Sequence, residues 1–376
     1  MRNLIIAFLL SIGFPCLSQQ KANSISEKEI FASLDKNAAT LLTNSKAYSV
    51  SIGVVIDDKV YTRHYGEIDK GKGNKATDET LFEIASTTKV FTGTLVANAV
   101  LDGKIRLDDD IRKYLNEEFS NLEFQKNPIR IKNLITHRSG ILTPFPDTKE
   151  IRQKYSPDSF LVHKNRLDKS YTKTDFFTAL RQVKVDTLPG TAFKYGALGP
   201  ELCAHILENV YKKNYQYLLQ QHIFDKAGMK STKVKLTATD VLANGYNASG
   251  LLMTPLSSNL WGASKMLKST MSDLIKFIKF ELDRTNKVVI ESHRRIYTNG
   301  DMGYFWEIQQ SPDKTIAYAK DGGSNGTQNI LKIHSEYNLG FSIIMNQSDK
   351  DSGTHLEAVA EGLLADLKPV AKNATP

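Results

Sequence analysis

Of the 376 residues only two are cysteine, Cys16 and Cys203, so no disulfide framework can be built. Cys16 falls in an N-terminal apolar run, which leaves Cys203 alone and the fold dependent on packing. Cys203 sits among Leu202, Ala204, Ile206 and Leu207, and reads as a small buried hydrophobe rather than a nucleophile. The eight histidines are scattered, without a His-Glu-x-x-His or a Cys/His ligand spacing, so no metal centre and no cofactor are expected. No lysine–arginine run is interleaved with aromatics, which argues against a nucleic-acid partner. Internal repeats and low-complexity linkers are absent, which argues against a repeat array. The one long apolar run, Leu4 to Phe14, is too short to span a bilayer, so no transmembrane anchor is expected in the mature chain.

What is present is ordinary globular composition, 41% hydrophobic and 24% charged, ample for a sizeable core. The basic start Met1-Arg2-Asn3, the apolar run and Cys16-Leu17-Ser18 read as a secretory signal peptide over residues 1–18, cut after Ser18. Lipidation at Cys16 is disfavoured by Phe14-Pro15 before it. Export across the inner membrane to the periplasm is the expected destination. The formal net charge of +8, or +7 without Arg2, is a mild basic bias suited to solubility.

Periodicity outlines the elements. Glu27 to Leu42 is helical, and Ala47 to Asp57 and Lys59 to Tyr65 read as a hairpin. Val90 to Leu101 is apolar on most sides and so a buried helix. Leu107 to Ile111, with acids at its first turn, opens a short helix. The stretch from Ile129 to about Gly250 is mostly helical, including Glu201 to Val210 and Tyr215 to Phe224. Lys265 to Asp283 reads as one amphipathic helix. Tyr304 to Gln309, Thr315 to Lys320, Gln328 to His334 and Leu339 to Asn346 are strands, and Glu357 to Leu367 closes the chain as a helix. The expected fold is therefore α/β (α+β): an antiparallel sheet built from both termini with flanking helices, and an inserted, mostly helical lobe. The expected division is one domain over 19–376, with the α/β part at about 24–88 and 255–370 and the lobe at about 89–254. A small-molecule cleft belongs at their junction.

Two serine motifs compete. Ser-x-x-Lys places a serine and a lysine on one helix face, where a partly neutral amine can take the hydroxyl proton. The pattern occurs five times, at Ser18, Ser33, Ser86, Ser170 and Ser311. Only Ser86, with Lys89, follows an apolar strand-like segment (Leu81-Phe82) and opens a buried helix. The rival is Gly322-Gly323-Ser324-Asn325-Gly326, a Gly-x-Ser-x-Gly pattern. A nucleophile elbow needs a helix after it, and Thr327 to His334 reads as a strand, so a glycine-rich hairpin is expected there.

Six segments, in order, resemble the class C β-lactamase-like branch of the family of serine β-lactamases, D-alanyl-D-alanine peptidases and related esterases. Phe82-Glu83-Ile84-Ala85-Ser86-Thr87-Thr88-Lys89 is similar to its nucleophile segment, and Ile129 to Ile141, through Thr136-His137-Arg138-Ser139-Gly140, to the stretch that follows. Leu188 to Gly199, with Pro189-Gly190-Thr191 and Tyr195, resembles the third segment. Ala227-Gly228-Met229 with Thr232, and Lys268-Ser269-Thr270 with Asp273-Leu274, resemble the next two. Lys320-Asp321-Gly322-Gly323 sits where a Lys-Thr-Gly strand is expected. The resemblance spans Ala47 to Leu364. It implies a β-lactamase/transpeptidase-like fold, with Ser86 as acylated nucleophile and Lys89 and Tyr195 sharing the proton transfers. It further implies substrate binding at Lys320, Asp321, Gly322 and Gly323, with the N–H groups of Ser86 and Gly323 as oxyanion hole.

Two departures bear on substrate. Tyr195-Gly196-Ala197 stands where β-lactam-binding members read Tyr-x-Asn, and alanine offers no hydrogen bond. Asp321 stands where Thr or Ser often helps hold a substrate carboxylate, and would repel one; it can pair with Lys320 or attract an amine. The leading expectation is a secreted serine acyl hydrolase of an ester or D-amino-acid peptide, from small-molecule or peptide partners. A true β-lactamase or DD-peptidase, and a non-catalytic envelope binder, remain open from sequence.

Overall fold

The computed structural model describes residues 25–298, 300–311 and 314–369. The expected signal peptide and Cys16 lie outside the described residues.

Strand β1 (Ser49–Ile56) is buried along its whole length. Val50, Ile52, Val54 and Ile56 enter one apolar cluster and Val55 another, so this strand must be covered on both faces. It turns through Asp57 and Asp58, both at positive φ, into β2 (Lys59–Gly66). A second pair, β3 (Leu81–Glu83) and β4 (Lys268–Thr270), lies apart from the main sheet. The C-terminal part supplies β5 (Met302–Gly303), β6 (Trp306–Gln310), β7 (Ile316–Gly323), β8 (Gln328–His334) and β9 (Leu339–Met345). The seven-stranded sheet runs β2-β1-β9-β8-β7-β6-β5, antiparallel throughout, and joins the two ends of the chain through the β1–β9 pairing.

The terminal helices α1 (Glu27–Ser45) and α5 (Ser352–Leu367) cover one face through Leu34, Leu41, Leu356 and Leu363. Ser26 and Glu29 close α1 with a reciprocal capping box. The other face takes α2 (Thr88–Leu101) and α4 (Met271–Leu282), with α3 (Leu198–Tyr211) behind α2. At Gly53 a Cβ would stand 2.5 Å from Met271 Sδ, so the missing side chain lets α4 lie close on β1. This is the expected α/β architecture, an antiparallel sheet of N- and C-terminal strands flanked by helices.

Three local expectations need correction. Lys265 to Asp283 is not one helix: Lys268–Thr270 is strand β4, and α4 begins at Met271 because the Thr270 side chain accepts from Asp273 N. The segment after Leu107 is a short 3₁₀ turn, Ile111–Tyr114, capped by Asp110. Tyr304 and Phe305 are not strand; both take positive φ and form the turn between β5 and β6.

Candidate functional site

The β3–β4 pair delivers the chain into a tight turn, Ala85–Thr87, which runs straight into α2. Ala85 holds φ at +43°, a left-handed conformation that costs a non-glycine residue about 1 kcal/mol. The kink turns the chain from strand to helix at Ser86. Lys89, in the first turn of α2, brings Nζ to 2.9 Å from Ser86 Oγ and donates to the Ser264 carbonyl at 2.8 Å. Its side chain is buried, and burial pushes the ammonium below its ordinary range. Lys320 adds to that push, while Tyr195 and Glu201 pull the other way.

Tyr195 comes from the loop just before α3. The residue is 42% exposed along the cleft, with Ser86 and Lys89 close enough to its phenol to favour the ionised form. Lys89 Nζ stands 4.8 Å and Lys320 Nζ 5.1 Å from the ring centroid. Burial of the phenol opposes ionisation, yet the two cations outweigh it and hold the tyrosine below its ordinary range. Lys320, on β7, is 1% exposed and donates to Glu307 at 2.7 Å and Asp321 at 3.1 Å. Burial alone would lower it, but Tyr195, Asp321 and Glu307 together keep it firmly charged.

The C-terminal end of β7 lies against the Ser86 turn. A Cβ on Gly322 would fall 2.1 Å from the Ile84 carbonyl oxygen, so only glycine permits this approach. Asn329, buried on β8, fastens the two together. Its Oδ1 accepts from Thr87 Oγ1 at 2.7 Å, and its Nδ2 donates to the Ile84 and Gly322 carbonyls at 3.1 and 2.9 Å. The residues flanking Ser86 are thus tied to the residue before Gly323. All seven sequence-predicted positions converge here: Ser86 and Lys89 hydrogen-bonded, Tyr195 beside them on the same cavities, and Lys320, Asp321, Gly322 and Gly323 on the adjoining strand.

Ala197, at the start of α3, supplies no polar atom and no side-chain cap. Lys89 depends on the Ser264 carbonyl, and Ser264 depends on Glu201, one turn along α3. The Glu201 carboxylate accepts from Ser264 N at 3.0 Å, Ser264 Oγ at 2.6 Å and Ala263 N at 3.3 Å. Burial raises the Glu201 carboxyl, offset in part by those bonds. His137 packs its ring 4.7 Å from Tyr195 and 5.2 Å from Phe305. Burial, and then the Lys89 and Lys320 charges, push it far down, so it is neutral.

Sequence reading missed Asn329, Glu201, Ser264, Glu307 and a role for His137 beside Tyr195. Glu201 carried a signal, a carboxylate inside the apolar run Leu198 to Leu207. Asn329 carried none, because its partners are set by the β7–β8 register. The rival serine, Ser324, sits in the β7–β8 turn and accepts from Thr327 N at 3.0 Å, as a hairpin residue should. Cys203 is buried, with its thiol pushed up by burial. Among the described residues no cluster of His, Cys, Asp and Glu could hold a metal ion.

Ser86 opens onto two cavities. One, of about 590 Å³, is lined by Phe193, Tyr195, Asp301, Glu307, Lys320 and Asp321. The other, of about 320 Å³, runs under the helical lobe past Lys89, Ala197, Glu201 and Lys265. A hydroxyl beside a buried amine, a phenol between two cations and close backbone N–H groups form a centre suited to acyl transfer.

The comparisons agree with this geometry. The family model described as Beta-lactamase matches residues 34–364. Protein flp of Staphylococcus aureus (strain MW2) is 31% identical over 257 residues, 65% of this chain and 48% of the relative. The chain therefore spans about half the length of that relative. A protein named Beta-lactamase from Pseudomonas fluorescens is 24% identical over 316 residues, 80% of each chain. With the family match covering most of its length, the chain belongs to the Beta-lactamase family of serine hydrolases.

Proposed function

We propose that the protein is an exported serine acyl hydrolase that works through an acyl-enzyme on Ser86 and cleaves an ester or a D-amino-acid peptide of the cell envelope. The observation that carries this reading is the contact of Ser86 Oγ with a lysine whose ammonium is disfavoured by burial. In its neutral form, which burial favours, Lys89 takes the Ser86 proton as Oγ bonds to the substrate carbonyl carbon. The carbonyl oxygen becomes an oxyanion held by the N–H groups of Ser86 and Gly323. Tyr195, held ionisable by Lys89 and Lys320, relays the proton to the leaving oxygen or nitrogen, and the C–O or C–N bond breaks. Water then attacks the acyl-enzyme and gives its proton to Tyr195. Collapse frees the acid and restores the Ser86 hydroxyl.

Ala197 and Asp321 weigh against efficient β-lactam hydrolysis. The first removes a polar contact, worth about 1–3 kcal/mol when buried. The second puts a carboxylate beside Lys320 at 3.1 Å. The Pseudomonas fluorescens relative's name keeps β-lactam hydrolysis as the second reading. Export to the periplasm rests on the N-terminal apolar run alone.

The test is turnover of p-nitrophenyl acetate and butyrate, nitrocefin and labelled penicillin, each beside Ser86→Ala. Ester hydrolysis without β-lactam reaction, lost in the variant, is the expected result. Nitrocefin turnover or a lasting penicillin adduct would put the β-lactamase or DD-peptidase reading first.

A further inference from the structure

The two cavities that meet at Ser86 carry opposite charge. The larger is lined by three carboxylates, Asp301, Glu307 and Asp321, against one ammonium, Lys320. Glu307 and Asp321 both spend an oxygen on Lys320. Asp301 lines the cavity without a cationic partner among the described residues. The other cavity is lined by Arg152, Lys164 and Lys265, with Asp168 and Glu201 as its carboxylates. There Asp168 Oδ2 accepts from both Lys164 and Lys265, and Glu201 is committed to Ser264 and Ala263.

The acidic cavity also has aromatic walls. Phe193 is 49% and Tyr195 42% exposed, open rings of a kind that proteins usually bury. Arg138 stands 5.6 Å from the centroid of the Phe193 ring and donates to the Thr191 carbonyl; it is not among the lining residues. The Tyr195 ring already faces Lys89 and Lys320, at 4.8 and 5.1 Å from its centroid, so the Phe193 ring beside the excess of carboxylate is the wall that receives an organic cation. In the basic cavity the same cation meets three positive side chains.

Resting on the acyl-hydrolase reading above, we propose that the substrate carries a cationic group, an ammonium or guanidinium, seated among Asp301, Glu307 and Asp321 on the Phe193 side of the cavity. Any anionic group of the substrate points the other way, toward Lys164 and Lys265. A substrate carboxylate on the acidic side would face three carboxylates across one lysine that two of them already occupy. The charge pattern therefore sets the direction in which a dipolar substrate crosses Ser86.

Two isosteric pairs test this whichever side of the scissile bond enters the acidic cavity. Butyrylcholine is compared with 3,3-dimethylbutyl butyrate, and the 4-methylumbelliferyl ester of 6-aminohexanoate with that of heptanoate. The quantity read is the ratio of kcat/KM, cationic over neutral, which cancels any loss of folded protein. At least one pair should favour the cation by roughly tenfold, the effect of one favourable charge contact near a protein surface. That ratio should fall to about threefold or less in Asp301→Asn and in 0.5 M salt. A ratio at or below one in both pairs, with the neutral esters turned over, would overturn the proposal and leave the hydrolase reading intact. A cation preference that Asp301→Asn and Asp321→Asn both leave unchanged would overturn the assignment of the cavity. If no ester is hydrolysed and no fluorophosphonate labels Ser86, the hydrolase reading itself falls, and this proposal with it.

Discussion

Replacing Asn329 with alanine should damage catalysis more than its distance from the substrate would suggest. The side chain makes three buried hydrogen bonds, to Thr87, Ile84 and Gly322, at 2.7, 3.1 and 2.9 Å. Alanine leaves the buried Thr87 hydroxyl without its acceptor and takes a donor from the Gly322 and Ile84 carbonyls, the latter still accepting from Thr87 N at 3.0 Å. Each such loss costs about 1–3 kcal/mol, and the three share one side chain, so about 3 kcal/mol in all is expected. For a domain of this size that lowers Tm by roughly 4 °C. The larger effect is geometric. Asn329 ties the turn that carries the Ser86 N–H to the strand that carries the Gly323 N–H. Losing one oxyanion donor typically costs about 10²–10³ in kcat, so a fall of roughly 10²-fold is expected, with KM little changed. Asn329→Asp keeps the acceptor for Thr87 but sets a buried carboxylate oxygen against the Ile84 and Gly322 carbonyls, and should fall at least as far. The assay is p-nitrophenyl butyrate hydrolysis at a temperature where all variants are folded, beside thermal melts. An Asn329→Ala enzyme with the expected drop in Tm but kcat within threefold of the parent would refute the clamp.

Other expectations follow from the same contacts. Lys320→Met removes a cation that disfavours the Lys89 ammonium and favours the Tyr195 phenolate. Both groups should then titrate at higher pH, moving the acid limb of the kcat/KM profile to the alkaline side; a shift toward acid would refute the coupling. Glu201, whose carboxyl is raised by burial, opposes folding as pH rises through the ordinary carboxylate range, because the unfolded state ionises first. Glu201→Gln removes that opposition, so Tm of the variant minus Tm of the parent should become more positive between pH 4 and pH 7; a flat difference would show that Glu201 is not raised. Gly322→Ala should be unstable, since its Cβ meets the Ile84 backbone at 2.1 Å. Gly323→Ala should melt close to the parent, since its Cβ meets only the far end of the Gln328 side chain, and equal melts would contradict this packing.

Much of the sheet was legible because its strands alternate or run apolar between turn residues, as in Ser49–Ile56 with Asp57-Asp58. The helix boundary at Met271 was not, because the polar Lys268–Thr270 lies between Leu267 and Met271, which continue the helical spacing to Leu274, and becomes strand only by pairing with Leu81–Glu83. The Tyr304-Phe305 turn was hidden by two large aromatics, residues that seldom hold positive φ and are usually read as strand. Ser86 stood out among five Ser-x-x-Lys occurrences only through its setting, a strand before it and a buried helix after it. The partners that tune the centre come from distant segments. Asn329 reaches the Ser86 turn through sheet register, and Glu201 reaches Lys89 only through Ser264. No local pattern encodes such links. Ala197 and Asp321 were legible as departures, but the cavity charge they belong to appears only once β5, β6 and β7 bring Asp301, Glu307 and Asp321 together.

The central claim is that Ser86 is the nucleophile. Incubation of the folded protein with a fluorophosphonate, followed by intact-mass and peptide mass spectrometry, tests it most directly. One adduct per chain on the peptide containing Ser86, absent in Ser86→Ala and slowed at least tenfold in Lys89→Met, is the predicted result. No adduct, or an adduct on Ser324 that persists in Ser86→Ala, would contradict it.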